Sequence, residues 1–290
     1  MLLSELNGIR PSRRKYRPSN RFVDECGVFG VEIEVEFGDK VKVMPEAEMW
    51  KLDADGSLRN NGVEYISVPM FGEDAANALD GLSEELTAAG PELSHRCGLH
   101  VHIDVSGMTV EELLSYVVVV SFAEPLLYKY VGVARRENIH CLPFSDTGNM
   151  MPFLNGIKYG QSTHDVATAI RHMCKYSGFN ILPVMYQGSV EFRHHSGEYN
   201  AERIIEWVNI LQTLKLIALR YSAVDLSNLN KEAIESLIGL PGIDYTNEDY
   251  MNGYLTAKDV LNFTRLEAGW EEVKADYNDE TRLHALTGDK

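Results

Sequence analysis

The stretch Gly30-Val31-Glu32-Ile33-Glu34-Val35-Glu36 alternates apolar and acidic residues without a break. Side chains alternate between the two faces of a β-strand, so Val31, Ile33 and Val35 point one way and the three glutamates the other. Two later runs repeat the design. In Leu99-His100-Val101-His102-Ile103-Asp104 the ionisable residues oppose Leu99, Val101 and Ile103, and in Val190-Glu191-Phe192-Arg193-His194 the pair Glu191 and Arg193 opposes Val190 and Phe192. Carboxylates in a row repel one another unless water or cations neutralise them. If the three runs share a sheet, one face is a core and the other a site.

A chain of 290 residues, 44% of them hydrophobic, has enough apolar surface for a large core. Helical patterns alternate with strands that are apolar on one face. This predicts an α+β fold built on a mainly antiparallel sheet, with helices covering one face and the site on the other. The longest apolar run, Tyr116 to Phe122, is too short to span a bilayer, and no membrane association is expected. The first eight residues lack the charged start and extended apolar region of a secretion signal. Four separated cysteines, Cys26, Cys97, Cys141 and Cys174, form no Cys-x-x-Cys pair and read as reduced thiols of a cytoplasmic protein.

A formal charge of −16 opposes a large nucleic acid surface. The segment Arg10 to Arg21 runs against that trend with a dense set of basic residues. It reads either as a solvated arm or as a strap that contacts phosphates of a nucleotide or an anionic partner.

Along the chain, strands are expected from Cys26 to Phe37, Lys40 to Met44, Glu48 to Asp53 and Val63 to Val68, with a turn at Ala54-Asp55-Gly56-Ser57. A helix follows from Glu73 to Ala89, stopped by Gly90-Pro91. After the His-x-His strand, Thr109-Val110-Glu111-Glu112 is a capping box opening a helix to Val131, with a kink or break at Pro125. Residues 134 to 162, with several Pro and Gly, read as a long irregular segment. A helix from Asp165 to Tyr176 precedes strands at Asn180 to Val184 and Ser189 to His194. Asn200 then caps an amphipathic helix, and the remainder reads as helical and acidic, with Trp270 packing back on the core.

Carboxylates and imidazoles on one surface suggest a metal, and hard oxygen ligands favour Mg²⁺ or Mn²⁺ over zinc. His-x-His or Glu-x-Glu alone is also found on ordinary surface strands. It is their combination with Glu191 and Arg193 that points to a site. Arg193 presents a planar fork that matches phosphate or carboxylate oxygens; the bland alternative is a salt bridge with Glu191. Acidic metal ligands beside an arginine suit phosphoryl transfer. Tyr176 and Asn180 either line a substrate pocket or are ordinary buried polar groups, and His194 and His195 are expected at the surface or just behind the site. Glu36 is expected at the sheet rim, solvated or paired with an arginine.

Gly30-Val31-Glu32-Ile33-Glu34, Asp55-Gly56-Ser57-Leu58, Glu64 to Pro69, Cys97-Gly98-Leu99-His100-Val101-His102 and Glu191-Phe192-Arg193 occur in the order seen in the phage and bacterial amidoligases. The chain resembles that family over about residues 25 to 225. The resemblance implies a glutamine-synthetase-like fold and an ATP-dependent ligase that joins a carboxylate to an amine through an acyl phosphate. It implies Mg²⁺ ligands at Glu32, Glu34, Glu64, His100 and Glu191, with His102 on ATP phosphates or a metal. Arg193 then holds the transferred phosphoryl group or the carboxylate substrate, and Asp55 holds the amine or is an ordinary turn aspartate. The domain reading is a basic arm (1–21), an amidoligase-like catalytic domain (22–225) and a helical extension (226–290). The expected location is a cytoplasm, of a bacterium or of a phage host.

An acyl phosphate is destroyed by water, so a partly closed site is expected, with residues 134 to 162 as a lid and Arg135 or Arg136 either reaching inward or solvated. The substrates range from amino acids and peptides to a modified macromolecule, a nucleic acid being least compatible with the charge. Two rivals remain from the residues: a metal-dependent hydrolase on the His-x-His face, and a non-catalytic binding protein on the same fold.

Overall fold

The computed structural model describes residues 1–10, 17–23, 27–147, 150–159 and 162–239. In chain order the elements are α1 (Leu3–Asn7), β1 (Phe29–Glu36), β2 (Trp50–Asp53), β3 (Gly62–Ser67), α2 (Gly72–Ala89), β4 (Gly98–Asp104) and α3 (Val110–Val131). They continue with α4 (Met150–Tyr159), α5 (Thr163–Arg171), β5 (Phe179–Asn180), β6 (Ser189–Ser196), α6 (Ala201–Arg220), α7 (Ala223–Asn228) and α8 (Lys231–Ile238). The architecture is α+β, as the alternation implies. Six strands form an open sheet in the order β2-β3-β1-β4-β6-β5, every neighbouring pair antiparallel.

The alternation in β1, β4 and β6 sorts the sheet into two faces. Val31, Ile33, Val35, Val63, Tyr65, Leu99, Val101, Ile103, Val190 and Phe192 are buried on one of them. Two long helices, α3 and α6, cover that face. Buried residues lie all round α3, including Val117 to Val120, because it is enclosed by sheet and helices together. Its start is fixed by Thr109 Oγ1, which accepts from Glu112 N–H at 3.1 Å while Glu112 accepts from Thr109 N–H at 2.7 Å.

Several local expectations need correction. Residues 40–44 form no strand: Val41 and Met44 are exposed and no neighbouring strand is there to pair with them. Pro183 turns the expected strand 180–184 into a 3₁₀ turn, Leu182–Met185, which leaves β5 with two residues. The segment 134–162 is not irregular among its described residues. It holds 3₁₀ turns at Val133–Glu137 and Phe144–Thr147, followed by α4. The helical assignment of α3 continues through Pro125. The helix expected from Asp165 to Tyr176 is shorter, ending at Arg171. Helical character after 225 is present in α7 and α8, whereas Trp270 and residues 11–16 of the basic arm lie outside the described residues.

Pairing register carries the site. Along β4–β6, Val101 pairs with Phe192 but Leu99 pairs with His195, so β6 takes one extra residue there, a β-bulge. Phe192, fully buried on the core side, meets the rings of Phe179 at 5.0 Å and Tyr116 at 6.0 Å. Phe192→Ala removes this keystone and is expected to cost about 3–5 kcal/mol in chemical denaturation. A loss below about 1 kcal/mol would contradict the packing described.

Candidate functional site

The polar face is laid out by register. Asp53 pairs with Glu64 and Glu64 with Glu34; Glu32 pairs with His100; His102 pairs with Glu191 and Glu191 with Asn180. Directly opposed residues on neighbouring strands have Cβ atoms about 4.5–5.5 Å apart, so this pairing collects the ionisable groups of five strands.

Glu32 sits at the centre. Its Oε2 lies 3.1 Å from His100 Nδ1 and its Oε1 3.2 Å from His102 Nε2. His102 Nδ1 is 3.2 Å from Ser189 Oγ. Glu34, buried, accepts from Gly98 N–H at 2.6 Å and lies 4.0 Å from His100 Nε2. Glu191, also buried, takes Asn180 Nδ2–H at 2.7 Å on one oxygen and ion-pairs with Arg193 through the other. Arg193 Nε–H donates to His140 O at 3.1 Å. Gly98 has no latitude for a side chain: a Cβ there would meet Arg135 Nη2 at 2.5 Å and His100 Nε2 at 2.8 Å.

Burial pushes the Glu32 carboxyl up, but hydrogen bonds and charge from His100 and His102 outweigh it and hold the group well below the usual range. His102 moves the other way from its burial as well: desolvation lowers it, and Glu32 and Glu191 raise it on balance. Glu64 has no such relief. Burial and then repulsion from Glu32, Glu34 and Asp55 push it up to about 9. Asp55 stays below its ordinary value despite partial burial, because Ser57 hydrogen-bonds its carboxylate and His100 and Arg193 add positive potential.

Three overlapping groups place ligand atoms within 4.8 Å of one another: Glu32–His102–Glu191, Glu32–Glu64–His100 and Glu34–Asp55–Glu64. Together they contain five carboxylates and two imidazoles and no thiolate, the donor set of a hard divalent cation. The same crowding leaves Glu64 without a neutralising partner, raised by burial and by Glu32, Glu34 and Asp55. The residues present therefore fit Mg²⁺ or Mn²⁺.

The other expected site residues fall in different places. Asn180 is buried against Glu191. Arg135 is buried beside the site, with its guanidinium on Arg193 O at 3.3–3.4 Å, whereas Arg136 is exposed. Tyr176 is half-exposed and packs edge-on to the His140 ring at 5.3 Å, away from the carboxylates. Glu36 ends β1, as expected of a rim residue, but it is not solvated, and its arginine partner is a backbone amide rather than a guanidinium. It is buried, and its carboxylate accepts from Arg59 N–H at 2.8 Å, pinning the turn before β3. His194 and His195 are not at the surface; both are buried toward the core side.

Sequence reading missed Ser189 and Gly98, although each sits two residues before a singled-out residue and so shares its face. It also missed a cavity of about 460 Å³ that adjoins Glu32, His102 and Ser189 and is walled by Ile9, Phe29, Ile66 and Pro69. Gly30 lies on its floor, where a Cβ would reach 3.6 Å from Ser67 Oγ and 3.9 Å from His102 Cβ.

The class the structure defines is an α+β protein with an antiparallel sheet that gathers carboxylates, imidazoles and an arginine on one face, a donor set compatible with a divalent cation. Residues 24–215 match the model of the protein family described as "Putative amidoligase enzyme". The chain belongs to the amidoligase family. No curated protein matches the chain.

Burial and like charge push Glu64 up to about 9 without a cation, so if Glu64 ligates a cation, binding at pH 7.5 is expected to expel its proton. Isothermal titration with Mn²⁺ in buffers of different ionisation enthalpy should show at least about one proton released per bound site. Glu64→Gln should lower the release by about one proton, leaving the part contributed by His102. The same shift fixes a stability trend for the cation-free protein. The folded state holds this proton between the ordinary carboxylate range and pH 9 while the unfolded chain does not, so stability falls as pH rises through that window.

Proposed function

We propose that the protein is an ATP-dependent carboxylate–amine ligase that works through an acyl phosphate on a glutamine-synthetase-like fold. The observation that carries the reading is Arg193. A guanidinium fixed between Glu191 and His140 O stands at one end of a face whose remaining groups suit divalent cations. Family membership supplies the ligase class and implies a carboxylate and an amine as substrates.

In this reading Glu32, Glu34, Glu64, His100 and Glu191 would hold Mg²⁺, which would screen the negative charge of ATP and the carboxylate. A carboxylate oxygen of the substrate attacks the γ-phosphorus, the bond to the β-phosphate oxygen breaks, and ADP leaves. Arg193 steadies the phosphoryl oxygens or the carboxylate during that transfer, and His102 contacts the phosphates. The ammonium form of the amine gives one proton to solvent, its nitrogen lone pair attacks the acyl carbon, the bond from that carbon to the phosphate oxygen breaks, and the second proton leaves the nitrogen with the released phosphate. Asp55, anionic at neutral pH, draws the ammonium form of the amine to the face. The cavity beside Glu32 and His102 receives the organic part of one substrate, and residues 22–225 are the catalytic unit. Arg135 supports Arg193 from behind, and the segment after it shields the intermediate from water. No helix among the described residues is long and apolar enough to cross a membrane. A cytoplasmic setting is part of the proposal, supported by the unpaired Cys97, Cys141 and Cys174.

Phosphate release from Mg²⁺–ATP, screened against paired panels of carboxylates and amines, tests the reading. Turnover should require both partners, and Glu34→Gln should lower it by about 100-fold or more. Equal turnover by wild type and variant would sink the cation assignment. Ester or peptide hydrolysis without ATP would replace the ligase with a metal hydrolase.

A further inference from the structure

Behind the polar face, the core holds a carboxylate that none of the steps above uses. Glu124, in the middle of α3, is buried among apolar neighbours. A carboxylate at such a position costs several kcal/mol unless its oxygens are well partnered. Both are: Phe144 N–H donates to Oε1 at 2.9 Å and Oε2 at 2.8 Å, and His194 Nε2 lies 3.1 Å from Oε1. His194 is fully enclosed, its ring 4.8 Å from Tyr128 and 5.9 Å from Phe192, and its Nδ1 has no hydrogen-bond partner. The imidazole is thus spent entirely on Glu124.

One helical turn further along, Tyr128 OH donates to Cys141 O at 2.8 Å. Residues four apart lie on one helix face, so Glu124 and Tyr128 grip the segment 141–144 from both ends. That segment follows directly from His140, whose carbonyl accepts Arg193 Nε–H. His194, the second residue Glu124 holds, follows Arg193 on the bulged strand. The carboxylate therefore reaches Arg193 along two routes, through the bulge backbone and through the carbonyl that orients the guanidinium.

We propose that Glu124, with His194 and Tyr128, is the positioning device for Arg193: it locks the guanidinium in the orientation that presents its remaining N–H groups to a phosphoryl or carboxylate group. The assignment of what Arg193 receives rests on the ligase reading; the lock itself does not. Glu124 and His194 touch no substrate. They act through Arg193.

Two measurements on the full chain separate these points. The first is the ¹⁵N–¹H resonance of Arg193 Nε, assigned by its loss in Arg193→Lys. In the wild type it should be distinct and slow to exchange. Glu124→Ala and, independently, the milder Tyr128→Phe should shift it toward the solvent-exposed arginines. An unchanged resonance in folded variants would overturn the proposal, whether or not the protein turns over ATP.

The second is a double-mutant cycle on turnover, with Mn²⁺ affinity measured alongside. Glu124→Ala should lower kcat by about tenfold or more and leave Mn²⁺ affinity within about twofold. Glu124→Gln, whose amide oxygen still accepts from Phe144 N–H, should restore part of the loss. In the Arg193→Lys background Glu124→Ala should have little further effect. Fully additive losses would mean that Glu124 serves the core and not Arg193. Absence of ATP turnover in the wild type would refute the ligase reading and leave the resonance to decide the lock.

Discussion

Like-charge crowding across the sheet is the constraint on which the rest of the structure depends. The register sets Glu64 opposite Glu34 and brings Glu32 and Asp55 within reach. Within 4.8 Å, at an effective dielectric of about 20, each ionised pair costs at least about 3 kcal/mol. The chain answers group by group. Glu32 takes two imidazoles, Glu34 the Gly98 amide, and Glu191 an arginine and an asparagine. Glu64 is left to hold a proton.

Such a face persists only if the strands under it cannot slide. A one-residue slip would send every glutamate into the core, so the buried set on the opposite face fixes the register. Val31, Ile33 and Val35 sit against Tyr65, Val101 and Phe192, under α3 and α6. Each fully buried side chain of this kind contributes about 1.5–3 kcal/mol, enough in sum to hold several unfavourable pairs together. The polar face and the core are two consequences of one alternation.

That alternation is why so much was legible in advance. Period-two patterning identified β1, β4 and β6, and their parity identified the ionisable residues that gather on the face. Lys40 to Met44 misled for the same reason: Val41 and Val43 alternate with polar neighbours, but a strand needs a partner edge, and no propensity reports one. Pro183 breaks the expected strand because its ring removes the ladder donor and suits the first turn of a 3₁₀ helix. Glu36 shows the limit of parity. It shares a face with Glu32 and Glu34, yet the turn before β3 delivers a backbone amide to it and removes it from the cluster.

The bulge in β6 was beyond reach of any periodic reading, because an inserted residue leaves no mark in the pattern it interrupts. It nevertheless explains where His195 lies. With strict alternation, His195 would follow Arg193 onto the polar face. The extra residue brings His195 opposite Leu99 instead, and His194 packs inward against Tyr128 and Trp207. One strand can then offer an arginine to one face and a buried imidazole to the other at adjacent positions. A regular strand gives adjacent residues opposite faces too, but it also hydrogen-bonds both into the ladder. Here the bulge frees Arg193 O for Arg135, while Arg193 N–H pairs with Gly178 O at 2.8 Å. The arginine is thereby held by its own backbone as well as by its side chain, which is what a group meeting a mobile anion requires.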